Sequence, residues 1–235
     1  MIFNEFEGKR VLITGGSSGI GEALALKLNQ CGAKVGVISN NESEFSNMQS
    51  RIGCYLADVR VSDQVYDAVD RYAADAGTMD MLVNSAGVSL WKDFLDMDSE
   101  FWDLIYDVNV KGTFLATQAV TRYMIRQKSG IILNIASMSG LKSGMPGASA
   151  YMSSKWAIVG LSRNLHLELK KFGIKVSCFC PGSTRTALHE KANTPNREEM
   201  LDPADVANTI MFMLAAPEKG HIQLLAQPAF FEEWK

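Results

Sequence analysis

The chain lacks most of what marks a specialised class. It has no excess of basic residues: 23 lysines and arginines stand against 26 aspartates and glutamates, a formal net charge of -3 at pH 7. Nucleic-acid binding draws its affinity from concentrated positive charge, so that partner is not expected, and Lys170-Lys171 reads as a solvated helix end. No run nears the roughly 18 apolar residues of a membrane span. Residues 1–10 include acidic residues and lack an apolar stretch behind a basic start. They do not read as a signal peptide, and the expected compartment is the cytosol. Only three histidines are present, His166, His189 and His221, without ligand spacing, and no metal site is expected. Of four cysteines, Cys31 and Cys54 stand alone. Cys178 and Cys180 are two apart in an apolar run, so on a strand they face the same side, but structural zinc pairs usually have at least two intervening residues. All four read as reduced, buried thiols. There is no internal repeat, low-complexity segment or linker.

What is present is ordinary globular composition, 47% hydrophobic and 21% charged over 235 residues. That length suits one open α/β sheet, so residues 1–235 read as a single domain. Short apolar runs alternate with helix-length stretches. The expected strands are 10–14, 34–39, 53–57, 81–84, 130–136, 175–179 and 221–226, and the expected helices 19–30, 62–76, 100–127, 151–172 and 203–216. Asp202-Pro203 supplies an N-cap and a first-turn proline. Gly32 and Gly173 fall just past helix ends, as left-handed caps do. Strands separated by helices must pair in parallel through right-handed crossovers, and strands apolar along their length are covered on both faces. The expected fold class is therefore α/β, a Rossmann-type doubly wound parallel sheet of about seven strands.

The first strand runs into Thr14-Gly15-Gly16-Ser17-Ser18-Gly19-Ile20-Gly21 and then a helix. Glycines make such a turn tight and let a pyrophosphate approach the backbone. The helix N-terminus offers unpaired N–H groups and the positive end of its dipole. Strand, glycine turn and helix together point to a dinucleotide. The same residues also satisfy G-x-S-x-G, the nucleophile elbow of α/β-hydrolases. A hydrolase elbow normally follows several strands, whereas this turn ends the first.

Tyr151 and Lys155 stand four apart, on one helix face one turn apart. A free tyrosine, with a pKa near 10, is a poor base at neutral pH, and a nearby ammonium favours its phenolate. Such a tyrosine can exchange a proton with a substrate oxygen while hydride moves. Chance alone also produces Y-x-x-x-K on helices.

From Lys9 to about Thr186 the chain resembles the short-chain dehydrogenases/reductases, in the subtype of about 250 residues. The resemblance is carried by Thr14 to Gly21, Asp58-Val59, Asn84-Ser85-Ala86-Gly87, Asn109, Ser137, Tyr151 to Lys155 and Pro181-Gly182, in the family's order and spacing. It implies that Ser137 hydrogen-bonds substrate oxygen and that Tyr151 is the acid/base. Lys155 would bind the nicotinamide ribose and lower the tyrosine pKa, and Asn109 would hold a water that relays protons to Lys155. It further implies cofactor contacts from Gly15, Ser17, Ser18, Gly19, Ile20 and Gly21 in the first turn. Ser39 and Asn40 would meet the ribose, Asp58 and Val59 would flank the adenine, and Asn84, Ala86 and Gly87 would line the cofactor and brace the sheet. Pro181, Gly182, Thr184 and Thr186 would meet the carboxamide side. Ser139 rivals Ser137, which is favoured because it stands three residues before Gly140. Ser85 replaces the usual second asparagine, and Thr184 stands where an aliphatic residue is common. The end of the last strand lacks the Asp-Gly-Gly-type segment of ketoacyl reductases and continues Gln227-Pro228-Ala229-Phe230-Phe231.

The substrate pocket is expected from Met138, Met145, Trp91 and the loop around Leu188, apolar groups suited to a small or medium carbonyl compound or its alcohol. Ser39 holds the position of the usual ribose-reading acid and is neutral. The expected cofactor is therefore NADP(H), weakly preferred, with NAD(H) usable. Helices 100–127 and 151–172 carry more apolar residues than one sheet-facing stripe needs, including Phe114, Trp156 and Leu167. A homodimer or homotetramer is expected. A sensor that binds cofactor without turnover would not need both Tyr151 and Lys155, and a hydrolase would need neither.

Overall fold

The computed structural model describes residues 2–48, 51–142, 144–186, 197–217 and 219–232. Leu188 and His189 lie outside them. Seven strands form one sheet: β1 (Arg10–Thr14), β2 (Lys34–Ser39), β3 (Gly53–Leu56), β4 (Met81–Asn84), β5 (Gly130–Ile135), β6 (Ile174–Pro181) and β7 (Leu224–Gln227). Their order is β3-β2-β1-β4-β5-β6-β7, and every pairing is parallel. The α-helices are α1 (Gly19–Gln30), α2 (Ser62–Ala76), α3 (Ser99–Tyr106), α4 (Gly112–Gln127), α5 (Ser149–Leu169) and α6 (Pro203–Leu214).

Period-two alternation along each strand divides the interior into two layers. Leu12, Leu82, Ile132 and Val176 point to one face, where they pack with α2 and α4 through Val65, Val69, Ala116 and Val120. Val11, Ile13, Val83, Leu133 and Phe179 point to the other, against Leu24 and Leu28 of α1 and Val206, Ile210 and Leu214 of α6. Each fully buried aliphatic or aromatic side chain contributes about 1.5–3 kcal/mol, so this two-sided burial holds the frame.

The chain reverses direction across the sheet between β1 and β4, since β2 and β3 lie to one side and β5 to β7 to the other. A crevice opens at such a switch point beyond the carboxyl ends of the strands. The turn after β1 and the residues after β4 border it.

Differences from the sequence expectation are local. The expected helix 100–127 is three pieces: α3, a π-helical turn Asp107–Lys111, and α4. The π turn admits one extra residue, which apolar periodicity cannot register. β7 begins at Leu224, because His221 turns aside: its Nε2 lies 3.1 Å from Ser177 Oγ and its ring packs 4.4 Å from that of His166. α5 begins two residues early, at Ser149, and its end tightens into a 3-10 turn, Lys170–Phe172.

Candidate active site

The turn after β1 closes tightly because Gly15 adopts φ +62 and a Cβ there would come within 2.6 Å of Ala86 Cα. Only glycine takes both the conformation and the approach without cost. The turn and the segment after β4 are thereby pressed together, and the Ala86 amide donates to Thr14 Oγ1 at 3.3 Å. Ser18 caps α1 without a side-chain hydrogen bond, which leaves first-turn N–H groups open to an anion. Ser17 is buried, and its hydroxyl donates to Glu44, not to a histidine. Among the described residues no histidine is bonded to this hydroxyl, as a hydrolase elbow would require.

Asn84 points inward. Its amide donates to Thr117 Oγ1 at 3.0 Å and to Asn134 Oδ1 at 2.8 Å, while Asn134 donates to Ser162 Oγ at 2.9 Å. This buried chain ties β4 and β5 to α4 and α5, the bracing half of its expected role. Asp58 is held by Arg60, with contacts from 2.6 to 3.0 Å, and these hold its carboxyl below the usual range against the opposing effect of burial. Val59 is buried against Gly112 of α4. The Gly182 amide donates to Gln227 O at 2.8 Å, and Thr184 Oγ1 donates to Gly182 O at 3.0 Å.

At the other end of the crevice, β5 delivers Ser137. Its Oγ accepts the Ser139 amide at 3.1 Å and so caps the short turn Met138–Gly140. That turn packs on α5 because Gly140 has no side chain: a Cβ there would meet Lys155 O at 2.7 Å. Serine followed three residues later by glycine thus has a steric meaning. It lets the serine turn press against the helix that carries Tyr151 and Lys155. Burial raises the Tyr151 phenol above its ordinary value, and hydrogen bonds from Ser137 and Ser89 pull it back. Ser137, not Ser139, therefore converges on the tyrosine, and Ser89 is a participant the sequence reading missed.

Lys155 is buried, and among the described residues its Nζ makes one hydrogen bond, to Ile135 O at 3.3 Å. Burial lowers its ammonium to about 8, partly offset by the thiols of Cys178 and Cys180. Its Nζ lies 5.8 Å from the Tyr151 ring centroid. An ammonium has three donors. A buried one with a single bond fits a ligand that brings hydroxyl acceptors. With the open α1 N-terminus and the glycine turn, this donor set suits a dinucleotide that runs from α1 to Lys155.

The π turn presents Asn109. Its Oδ1 accepts the Val88 amide at 2.8 Å, while Nδ2 donates to Val88 O and to Ser154 Oγ, both at 3.0 Å. Both side-chain donors are thus committed. Asn109 ties the segment after β4 to α5 between Tyr151 and Lys155, and only an Oδ1 lone pair is left for a relay water.

The expected substrate residues divide. Met138 is buried at 2% exposure and does not reach the cleft surface. Met145 and Trp91 are exposed, as are Leu90 and Phe94. Their segments are joined by the Lys92 amide to Gly147 O at 2.9 Å. Glu232, near the C-terminus, also went unnoticed. It accepts from the Ser183 amide at 3.2 Å and the Ser183 hydroxyl at 2.8 Å, and so ties the C-terminal segment to the stretch after β6. Neither Glu44 nor Glu232 belongs to a spaced motif, so only the fold reveals them. The four cysteines are free, but only Cys178 and Cys180, whose sulfurs are 4.0 Å apart, are buried as expected; Cys31 and Cys54 are half-buried, on a helix end and on the edge strand β3. No metal-binding cluster of three or more such groups occurs among the described residues, and none of their helices is long and apolar enough to cross a membrane.

Comparison with known proteins agrees with this geometry. The family model of the short chain dehydrogenases matches residues 9–197. The 3-oxoacyl-[acyl-carrier-protein] reductase FabG of Thermotoga maritima is 35% identical over 232 residues, covering 92% of this chain and 94% of its own. Among solved structures, the 3-ketoacyl-(acyl-carrier-protein) reductase from Brucella melitensis complexed with NADH superposes with a TM-score of 0.87 at 26% identity, covering 96% of this chain and 98% of its own. ElxO with NADP bound gives 0.83 at 28% identity, covering 94% and 97%. The chain belongs to the short-chain dehydrogenase/reductase family, and it is an oxidoreductase of that family.

Proposed function

We propose that the protein interconverts a carbonyl compound and its alcohol with a nicotinamide dinucleotide, Tyr151 serving as acid/base. The observation that carries this reading is the packing of the Ser137 turn, through Gly140, on the helix that carries Tyr151 and, one turn on, a buried ammonium bonded to Ile135 O. When bound, the dinucleotide supplies or accepts the hydride. Ser137 and Tyr151 together donate to one substrate oxygen, an arrangement that favours the charge developing there. In reduction the Tyr151 hydroxyl gives that oxygen its proton, and in oxidation the phenolate takes it back. Lys155 holds the ribose hydroxyls of the nicotinamide half. Asn109 positions α5 against the segment after β4, so that Tyr151 and Lys155 keep their distance.

The exposed apolar rim of Leu90, Trp91, Phe94 and Met145 suits a small or medium substrate of low polarity. The name of the Thermotoga relative supports reduction as the working direction. The test is direct: titrate the protein with NADH and NADPH by fluorescence, then follow loss of reduced-nicotinamide absorbance with a panel of ketones and aldehydes. Binding without turnover of any carbonyl would leave a sensor, and no binding would remove the reading altogether.

A homo-oligomer assembled through α4 and α5 belongs to the same proposal. Phe114, Trp156 and Leu167 on these helices are 44%, 50% and 60% exposed, surplus to the sheet-facing stripe. Light scattering at micromolar concentration is expected to give a multiple of 25.8 kDa, and a monomer mass would refute the assembly.

A further inference from the structure

The ribose end of the crevice is not neutral. Ser39 closes β2, and its Oγ accepts the Asn41 amide at 3.1 Å. Asn41 then caps a 3-10 turn, Glu42–Asn47: its Oδ1 accepts from Ser43 N at 3.3 Å and Ser43 Oγ at 2.7 Å. That cap aims the next turn residue, Glu44, back over the strand end. Asn41 Nδ2 donates to Glu44 Oε1 at 3.0 Å, Ser39 Oγ lies 3.5 Å from Oε2, and Ser17 of the glycine turn donates to Oε2. The carboxylate therefore bridges the turn after β1 and the end of β2, the place where this fold holds the adenosine ribose.

We propose that Glu44, five residues beyond the strand end, reads the adenosine ribose and makes the enzyme prefer NAD(H) over NADP(H). The inference rests on the dinucleotide reading of the turn and replaces the expectation of an NADP(H) preference drawn from Ser39 and Asn40 alone. A ribose with free hydroxyls offers donors to this carboxylate. A 2′-phosphate offers only acceptors and about two negative charges. Either it displaces Glu44 from Ser17 and Ser39 or it sits beside an anion. A second carboxylate aggravates this. Glu22, in the first turn of α1, is raised above its ordinary value by burial and then by Glu44 itself. Among the described residues, neither glutamate has an ion-pair partner that would neutralise it.

The experiment is calorimetric titration of the wild type and Glu44→Gln with NADH and NADPH, repeated at low and high salt. Glutamine keeps acceptors for Ser17 and Asn41 but loses the charge. The wild type is expected to bind NADH about tenfold tighter or more, since like charges at close range near a surface repel by several times the thermal energy. Glu44→Gln is expected to tighten NADPH about tenfold and leave NADH within about threefold. Salt should narrow the wild-type gap by screening, a readout that stands even if the variant folds poorly. A wild type that prefers NADPH, or a variant that shifts both dinucleotides equally, overturns the role of Glu44 and leaves the dinucleotide reading intact. Failure of the wild type to bind either one overturns both.

Discussion

At the catalytic end of the crevice the working groups sit on regular elements. Ser137 stands two residues past the end of β5, while Tyr151 and Lys155 share the first two turns of α5, a helix of 21 residues. Gly140 locks the serine turn onto that helix, and Asn109 locks the helix to the segment after β4. At the ribose end the groups come from a turn, a strand terminus and a six-residue 3-10 segment. One end is held by packed backbone, the other by side-chain hydrogen bonds between loops. The contrast follows from what each end must do. Proton transfer tolerates little displacement, so its groups are carried by the sheet and the helix packed on it. Choice between two cofactors needs only a charge at the right place, and a loop can supply it.

The contrast can be broken hardest at Lys155. Lys155→Ala is expected to weaken NADH and NADPH alike and to lower kcat/KM by about 10² or more, within the range for loss of acid–base function. Dinucleotide titration and steady-state kinetics check this. Unchanged affinity for both cofactors would remove its ribose contact. A Glu44 substitution, by comparison, should separate the two cofactors. Next in size is Asn109→Ala. It strands the Val88 amide and carbonyl and costs about 1–3 kcal/mol for each buried group left unpaired. Denaturant unfolding should show the loss, together with a fall in kcat greater than any change in dinucleotide Kd. Wild-type stability in this variant would mean that Asn109 braces nothing.

The smallest expected effect concerns charge. Burial lowers Lys155 from 10.5 to about 8. Between those values the unfolded chain binds the proton and the folded chain does not, so stability should rise with pH across that window. Below about 8 both states hold the proton, and above 10.5 neither does, so the slope contributed by Lys155 vanishes outside. The difference in Tm between the wild type and Lys155→Met, followed from pH 7 to 10, isolates this slope from other titrating groups. A pH-independent difference would show that the ammonium is solvated.

The same contrast explains what could be read from the sequence. Strands β1, β2 and β4 and helices α1 and α2 follow from apolar runs and their breaks, because burial dictates both. The residues proposed as catalytic stand at spacings that regular elements fix: four residues on a helix for Tyr151 and Lys155, three from serine to glycine for Ser137 and Gly140. The π turn under Asn109 was not legible, since one added residue leaves the apolar period almost unchanged. Glu44 was not, since its approach to Ser17 depends on how Asn41 caps a short turn. Glu232 was not, since a carboxylate near the C-terminus has no pattern that would bring it to Ser183. Met138 was assigned to the cleft by its neighbour Ser137, but the short turn that follows Ser137 carries it inward.

The proposal at the centre is that the Tyr151 hydroxyl moves the proton and adds little to the affinity for the cofactor. The measurement that tests it most directly is Tyr151→Phe, with kcat and dinucleotide Kd determined on the same preparation. The change deletes the hydroxyl and keeps the ring. The account requires kcat to fall by about 10² to 10⁴ while Kd stays within about twofold. Retention of wild-type kcat would contradict it.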